Sequence, residues 1–268
     1  MTAASSAFSA SRWLDLDGVA NARDLGGLPL EDGGVTAPGV VLRSDNLQGL
    51  TPADVRRLVD DMGVAVVVDL RTGAEVELEG AGPLVADGRV EIRHRDLYPE
   101  AGAMTDAGAD AFPWIAARDR AGEETPAVAA YLGYLRDRPD SILGALRDVA
   151  HAPGATVVHC AAGKDRTGVV CMLALAVAGA TREAIVADFL ATGDRIAPLM
   201  TRLRRSPTYG PDLHGRADEA HAPRPETIAR VLEVLDARHG GPLGWLDEAG
   251  FGADDAAALR RRLRTQSS

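Results

Sequence analysis

The chain has few cysteines, few aromatic residues and no long apolar run. Two cysteines in 268 residues cannot build a disulfide framework, and Cys160 and Cys171 lack the spacing of zinc ligands. The longest apolar run, 169–180, is shorter than the roughly eighteen residues a membrane-spanning helix needs, and it predicts a buried core helix. An excess of positive charge is also missing: the net charge of −10 argues against a general nucleic-acid binder.

The remaining composition is that of a globular protein. Hydrophobic residues make up 46% of the chain and charged residues 25%, and the length suits a single domain over 1–268. The segment 1–12 is small and polar, and we expect it to be disordered. It lacks the basic start and apolar centre of a secretory signal peptide. We therefore expect a cytoplasmic protein, or one secreted without an evident signal.

Strand and helix patterns alternate along the chain. We predict strands at 40–43, 64–70, 90–93 and 155–159, of which 64–70 is the continuous apolar run of a buried parallel strand. Predicted helices run from Thr51-Pro52 to about Met62, over 126–150 with a break at Pro139, and after Arg166. This order predicts an α/β fold with a central, mostly parallel sheet flanked by helices.

One decapeptide, HCAAGKDRTG at 159–168, carries most of the functional information. It follows a predicted strand and precedes a predicted helix, a setting that directs backbone N–H groups toward one point at the positive end of the helix. A phosphate monoester fits such a cradle. Cys160 would lie at its floor as a thiolate nucleophile, and Arg166 would bind two phosphoryl oxygens with its planar fork. Catalysis would then rest on positioning and electrostatics.

The other residues of this segment have narrower expected roles. The backbone of Ala161, Ala162, Gly163 and Lys164 would bind phosphoryl oxygens, and the hydroxyl of Thr167 would donate to the sulfur of Cys160. The segment is not a nucleotide-binding loop of the form GxxxxGK[ST], because Asp165 stands where Ser or Thr is needed. The alternative to a catalytic role is that Cys160 is simply a small buried apolar residue.

This decapeptide resembles the signature loop of Cys-dependent phosphatases, and its Lys-Asp before the Arg resembles the bacterial protein tyrosine phosphatase B-like family. Three further segments are similar to that family: 21–27 (NARDLGG), 41–45 (VLRSD) and 68–72 (VDLRT). The resemblance implies a Cys-dependent phosphatase fold, a phosphocysteine intermediate and no metal or other cofactor. It implies activity on protein phosphotyrosine, with phosphoserine, phosphothreonine and phosphoinositides as further substrates. We expect inhibition by phosphate-like oxyanions, and no contact with nucleic acid or the membrane interior.

Such a phosphatase needs a carboxylic acid to protonate the leaving oxygen. Asp165, next to Arg166 in the loop, is our first candidate, although it could equally hold the loop by accepting backbone N–H bonds. Asp96, Asp87 and Asp69 are the alternatives, since they follow strands or lie in loops near what we expect to be the same sheet edge. Their placement depends on the fold.

Lys164 and His159 lie near the nucleophile in the sequence, and each has two alternative roles. Lys164 would either contact a second phosphate or carboxylate of the substrate or simply add positive potential. His159 is expected to bind backbone and stiffen the loop rather than act as a base, because its side chain alternates with that of Cys160. Cys171 is expected to be a buried helix residue, with a backup thiol as the alternative.

A polar set near the N-terminus is expected to form Arg–Asp salt bridges that dock this segment on the sheet: Asn21, Arg23, Asp24, Arg43, Ser44 and Asp45. Asp45 could also border the active site. Segments 99–124 and 206–225 look irregular. We predict that 189–230 forms a helical lid over the loop of Cys160, with a surface segment of no functional role as the alternative. Arg202, Arg204 and Arg205 would either meet the phosphate there or form a solvated face.

Two other function classes fit parts of the pattern. A phosphate-binding module without catalysis would keep the anion cradle and Arg166, but such modules usually alter the cysteine, which is intact here. A rhodanese-like sulfur carrier also uses a loop cysteine after a strand, but it does not call for Cys-x5-Arg before Thr-Gly.

Overall fold

Five strands form one mixed sheet in the computed structural model, which describes residues 12–98, 124–213, 215 and 217–265. The strands are β1 (Arg23–Asp24), β2 (Val41–Ser44), β3 (Val64–Asp69), β4 (Glu91–His94) and β5 (Ala155–His159). Their order across the sheet is β1-β2-β5-β3-β4, with β1 antiparallel to β2 and the other pairs parallel. The sheet therefore confirms the predicted mostly parallel α/β architecture, with β5 at its centre.

Helices cover both faces of this sheet. Before β5 they are α1 (Pro52–Arg56), α2 (Gly73–Glu79), α3 (Pro83–Asp87), α4 (Pro126–Asp137) and α5 (Pro139–His151). After β5 they are α6 (Asp165–Ala178), α7 (Arg182–Leu190), α8 (Ile196–Arg205), α9 (Gly210–Leu213), α10 (Pro225–His239), α11 (Pro242–Glu248) and α12 (Ala253–Leu263). Single 3-10 turns lie at Leu47–Gly49, Ala191–Arg195 and Asp218–His221, and a π turn follows α1 at Arg57–Asp61.

Local sequence signals account for most of these boundaries. Thr51 caps α1 with a full capping box, and Pro52 is its first residue, as predicted. The predicted break at Pro139 separates α4 from α5. The apolar run after Arg166 forms α6, which is buried along nearly its whole length and ends at Gly179 in the left-handed region. None of the helices in the described residues is long and apolar enough to cross a membrane.

The strands alternate their side chains between two apolar layers. Val66 and Val68 of β3 pack into the larger core with α4 to α7 and α10 to α12, whereas Val67 packs into a smaller core with α1 and α3. A third, smaller cluster joins Ala161 to residues of α8 and α9. The chain that follows β5 therefore lies between the main core, which contains Cys160, and this third cluster, which contains Ala161.

The chain ends and long loops give a mixed outcome. Arg12, which we expected in a disordered segment, is buried because its guanidinium pairs with Asp188. Residues 1–11 and 99–123 lie outside the described residues, so most of the two irregular predictions for 1–12 and 99–124 falls there. The prediction of an irregular 206–225 is wrong in part, because α9 and a 3-10 turn form within it.

Candidate active site

The chain turns sharply between β5 and α6, and Cys160 is the first residue of that turn. Its side chain is at the carboxyl end of the central strand, the position at which open α/β sheets bind ligands. Gly163 has φ of +64°, and a Cβ added there would lie 2.4 Å from the carbonyl oxygen of Ser44. The turn can therefore form only with glycine at this position.

Three donors from outside hold the carbonyl groups of the signature loop (residues 160–166). The amide of Asn46 donates to the oxygen of Ala161 at 2.9 Å, and the Nδ2 group of Asn21 donates to that of Ala162 at 2.8 Å. Arg43 donates to the oxygen of Gly163 at 2.6 Å. With the carbonyls bound on the outside, the loop amides are left for an anion. In the part of the chain that the structure describes, no side chain caps the N-terminus of α6, which leaves its first N–H groups available as well.

Arg166 is buried and held by the carboxylate of Glu75. Nη1 donates to Oε2 at 2.6 Å and Nη2 to Oε1 at 2.9 Å, and Nη1 also donates to the carbonyl of Leu70 at 3.2 Å. These bonds use three of the five guanidinium N–H groups. The two without a partner among the described residues, on Nε and Nη2, share one edge of the plane, which suits two oxygens of a phosphoryl group.

Glu75 is a site residue that the sequence reasoning missed. It lies in the first turn of α2, where a capping box with Thr72 positions it: the Thr72 amide donates to Oε2 at 2.7 Å, and the Glu75 amide donates to the Thr72 hydroxyl at 3.0 Å. Burial raises the pKa of Glu75, but the charge and hydrogen bonds of Arg166 outweigh it and lower the pKa overall. The signal in the sequence was the Thr-x-x-Glu pattern directly after the 68–72 segment.

Asp165 lies beside the loop as the first residue of α6. Its Oδ1 atom accepts a hydrogen bond from the hydroxyl of Tyr131 at 2.5 Å and lies 3.6 Å from Nζ of Lys164. Its side chain is 23% exposed. Asp165 therefore remains a candidate for the proton donor.

Lys164 extends away from the loop toward the chain that follows α9. Its Nζ group donates to the carbonyl oxygen of His221 at 2.7 Å. The ammonium group thus adds positive charge beside Asp165 and at the same time ties residues 218–221 to the loop. Both contacts of Lys164, with Asp165 and with His221, are ones that the sequence did not suggest.

The expected hydrogen bond from Thr167 to Cys160 is not formed. In the described part of the chain, Oγ1 of Thr167 is buried without a hydrogen-bond partner. Thr167 is the third residue of α6, and the helix carries its side chain into the interior, where the residue is completely buried. The prediction for the Thr167 hydroxyl is therefore wrong in this conformation.

His159 lies on the opposite side of β5 from the cradle. Its Nδ1 is 3.3 Å from the carbonyl oxygen of Cys160, and its Nε2 is 3.6 Å from Oδ1 of Asp69. Burial lowers the pKa of His159 to about 4, so the ring is neutral at pH 7. Asp69 in turn binds Arg71 through both oxygens. Neither His159 nor Asp69 is placed to exchange protons with a substrate.

The other candidate acids divide between two edges of the sheet. Asp96 follows β4 at the carboxyl edge, where it accepts from the Tyr98 amide at 2.8 Å, and burial raises its pKa. Asp87 ends α3 and precedes β4, which places it at the opposite edge, paired with Arg89. Its placement near the site was wrong, because β4 runs parallel to β3 and starts at the far edge.

The N-terminal polar set docks on the sheet through a partner that the sequence did not suggest. Asp188 of α7 pairs with Arg12 at 2.9 Å, with Arg23 at 3.2 Å and with Arg43 at 2.6 Å. Burial raises the pKa of Asp188, but the three guanidinium groups outweigh it and hold the pKa far below its usual range. The expectation of buried Arg–Asp pairs was correct, and the choice of their acidic partners was wrong.

The acidic residues that were expected to make those pairs bind elsewhere. Asp24 accepts from the amides of Gly26 at 2.8 Å and Gly39 at 2.6 Å. Asp45 is completely buried, accepts from the amide of Asn21 at 2.9 Å and pairs with Arg202 at 3.1 Å. Asp45 thus supports the chain behind the loop and has no free edge toward the cradle.

The arginines of α8 split between ion pairs and solvent. Arg202 pairs with Asp45, and Arg204 pairs with Asp218 at 2.5 Å. Arg205 is exposed. Cys171 is buried in α6, as expected, and burial raises the pKa of its thiol to about 11. In the residues described, no group of three histidine, cysteine or acidic side chains is placed to hold a metal ion.

The chain is similar to known proteins over most of its length. Residues 14–265 match the model of the tyrosine phosphatase family. The chain is 28% identical over 246 residues to the triple specificity protein phosphatase PtpB of Mycobacterium tuberculosis, covering 80% of this chain and 87% of that protein. It is 27% identical over 230 residues to a tyrosine-protein phosphatase of Nostoc commune, covering 83% and 73%. With the Cys–Arg cradle at the carboxyl end of its central strand, the chain belongs to the tyrosine phosphatase family.

Proposed function

We propose that this enzyme hydrolyses phosphate monoesters, above all protein phosphotyrosine, through a phosphocysteine intermediate on Cys160. The observation that carries the proposal is the cradle itself. Outward-held carbonyls leave the loop amides for the phosphoryl oxygens, and the Glu75–Arg166 pair presents one guanidinium edge to the same point. Cys160 lies at the floor of this arrangement.

The reaction has two displacement steps. In the first, the Cys160 sulfur attacks phosphorus, the bond from phosphorus to the tyrosyl oxygen breaks, and Asp165 gives that oxygen its proton. In the second, water attacks phosphorus, the phosphorus–sulfur bond breaks, and Asp165 takes a proton from the water. Arg166 and the loop amides stabilise the charge on the equatorial oxygens in both steps.

Phosphoserine, phosphothreonine and phosphoinositides are the wider substrates we propose. A family relative described as a triple specificity phosphatase supports this breadth. Lys164 supports it too, because its ammonium group lies 3.6 Å from Asp165 and would meet a second acidic group of the substrate once its bond to His221 is released. A panel of phosphopeptides and phosphoinositides with purified enzyme distinguishes these classes by kcat/KM.

We also propose that 189–230 acts as a lid within the single domain. Leu199 and Leu203 of α8 and Tyr209 and Leu213 further along pack in one apolar cluster with Ala161. The Lys164–His221 contact closes the other side. In this proposal the segment covers the loop, and substrate entry requires it to move.

Activity on p-nitrophenyl phosphate tests the proposed reaction. The wild type should release p-nitrophenol, vanadate should inhibit it, and Cys160→Ser should abolish turnover while still binding vanadate. A wild-type protein that binds vanadate without turnover would instead be a phosphate-binding module. Asp165→Asn should slow phenyl phosphate more than p-nitrophenyl phosphate, and an equal loss would assign the acid to another residue.

Hydrogen exchange with and without vanadate tests the lid. We expect a change in protection across 189–230 on binding, compared with an unchanged α12 as the internal reference. Equal protection of the segment in both states would contradict a lid.

A further inference from the structure

The chain has four tyrosines, and all four lie around the candidate active site. Tyr131 binds Asp165, and the ring of Tyr98 lies under Arg166, with the guanidinium 5.1 Å from its centroid. The hydroxyl groups of Tyr98 and Tyr134 are 3.3 Å apart, and Tyr209 packs in one cluster with Ala161 of the signature loop. In a chain with so few aromatic residues, this distribution indicates a role in the site.

Tyr131 has the most direct contact with the chemistry. It lies on α4, is only 2% exposed, and donates its hydroxyl hydrogen to Oδ1 of Asp165 at 2.5 Å. Oxygen–oxygen distances of about 2.5–2.7 Å are typical of a hydroxyl that donates to a carboxylate. The bond joins two elements of the fold, α4 and the N-terminus of α6.

The ring of Tyr131 is fixed by aromatic neighbours. It stacks on Tyr134 with centroids 6.1 Å apart and planes at 20°, and it meets Phe189 edge to face at 6.2 Å. Such pairs contribute beyond the area they bury and restrict the ring to one orientation. This packing therefore holds the hydroxyl in the orientation that binds Asp165.

The contacts to the carboxyl group are one-sided. Tyr131 donates to Oδ1, and the ammonium of Lys164 is 3.6 Å from the same atom. In the described residues no hydrogen bond is made to Oδ2. A proton carried by Asp165 is therefore placed on Oδ2, since Oδ1 already faces a donor and a cation.

We propose that Tyr131 is a positioning residue for Asp165, which it orients so that Oδ2 delivers and collects the catalytic proton. This inference rests on the proposed function, in which Asp165 is the acid and then the base. Tyr131 itself gives up no proton, because its hydroxyl hydrogen stays on its own oxygen through both steps. The transferred proton moves between Oδ2 of Asp165 and the substrate or water.

The chemistry of the first step favours this arrangement. As Asp165 gives its proton to the leaving oxygen, negative charge develops on the carboxylate, and the bond from Tyr131 becomes a charge-assisted one. Burial and the nearby Asp165 raise the pKa of Tyr131 well above its ordinary value, so it remains a hydroxyl donor at neutral pH. Tyr131 therefore stabilises the form of Asp165 that each proton transfer to the leaving group produces.

The test compares two hydroxyl deletions in the same aromatic cluster. Tyr131→Phe keeps the ring and removes the bond to Asp165, whereas Tyr134→Phe removes an equally buried hydroxyl that binds only Tyr98 among the described residues. Each is assayed with p-nitrophenyl phosphate, whose leaving group needs little protonation, and with phenyl phosphate, whose leaving group resembles tyrosine with a pKa of about 10.

We expect Tyr131→Phe to reduce kcat for phenyl phosphate about tenfold more than for p-nitrophenyl phosphate, the size expected for a lost hydrogen bond to a charged group. Tyr134→Phe should affect the two substrates equally. When Tyr131→Phe is added to Asp165→Asn, kcat should fall little further, because both residues act on the same transferred proton. Thermal melting checks that each variant is folded.

Three results would overturn the inference. One is an equal loss for both substrates in Tyr131→Phe, which would indicate a packing role alone. Another is a full additional loss in the double variant, which would show that Tyr131 acts independently of Asp165. The third is a selective loss in Tyr134→Phe of the same size. The proposed function fails separately, if the wild type does not turn over p-nitrophenyl phosphate at all.

Discussion

The carboxylate of Glu75 binds both terminal nitrogens of Arg166, with 2.6 Å to Nη1 and 2.9 Å to Nη2. The pair connects α2 to the signature loop across 91 residues of sequence. It leaves only one edge of the guanidinium for a phosphoryl group, and it fixes the direction of that edge. Glu75 therefore sets the direction in which the guanidinium of Arg166 can bind an anion.

Glu75→Gln should lower kcat for p-nitrophenyl phosphate by about one to two orders of magnitude, since a neutral amide binds Arg166 more weakly and only one of its atoms accepts. Steady-state kinetics measure the loss. Glu77→Gln, an exposed position on the same helix, is the matched control and should behave as wild type. Equal activity of the two variants would contradict the role of Glu75.

Asp188→Asn should destabilise the fold by about 3–5 kcal/mol at pH 7, because it leaves three buried guanidinium groups without their carboxylate. Urea unfolding measures this loss. Asp236→Asn removes an exposed pair with Arg182 and should cost less than about 1 kcal/mol. Similar losses in the two variants would show that the buried cluster contributes no more than a surface pair.

The same cluster should make stability depend on acid pH. The pKa of Asp188 is held below its usual range. The contribution of its carboxylate to the free energy of unfolding is therefore complete above about pH 4 and is lost as the pH falls further. The stability difference between wild type and Asp188→Asn should therefore be constant from pH 7 to 5 and shrink below pH 4. Urea midpoints over this range measure it, and a difference that grew toward low pH would have the wrong sign.

His159 should produce a second pH dependence at a higher range. Its pKa in the folded protein is about 4 against an ordinary value of 6.5, so the folded state resists protonation. The stability that His159 contributes to the folded state is complete above pH 6.5 and is lost as the pH falls toward 4. His159→Gln should flatten the fall in urea midpoint between pH 6.5 and 4, whereas His151→Gln, at an exposed site, should leave it unchanged.

Cys171 should be unreactive while the protein is folded. Burial raises the pKa of its thiol to about 11, which leaves almost no thiolate at pH 7. Mass spectrometry after brief treatment with iodoacetamide should find no label on Cys171, and full labelling after unfolding in guanidinium. Rapid labelling of native Cys171 would instead favour the alternative of a backup thiol.

Local sequence alone predicted four of the five strands, the break at Pro139 and the strand–loop–helix around Cys160, but not the two-residue strand β1. These features follow from apolar periodicity, proline positions and one short motif, all of which act over a few residues. The same reasoning identified Asp165, Arg166 and Lys164 because they are adjacent along the chain. It placed Asp87 at the wrong edge, because the edge depends on the direction of β4 in the sheet.

The tertiary structure decided which distant side chains meet. Glu75 reaches Arg166, Asp188 reaches three arginines, and Tyr131 reaches Asp165, over separations of 34 to 176 residues. Each charge or hydroxyl has many chemically equivalent partners in the sequence, and only burial in one packed arrangement selects among them. The chain by itself therefore determined the chemistry of the loop, whereas the folded packing determined how that loop is held.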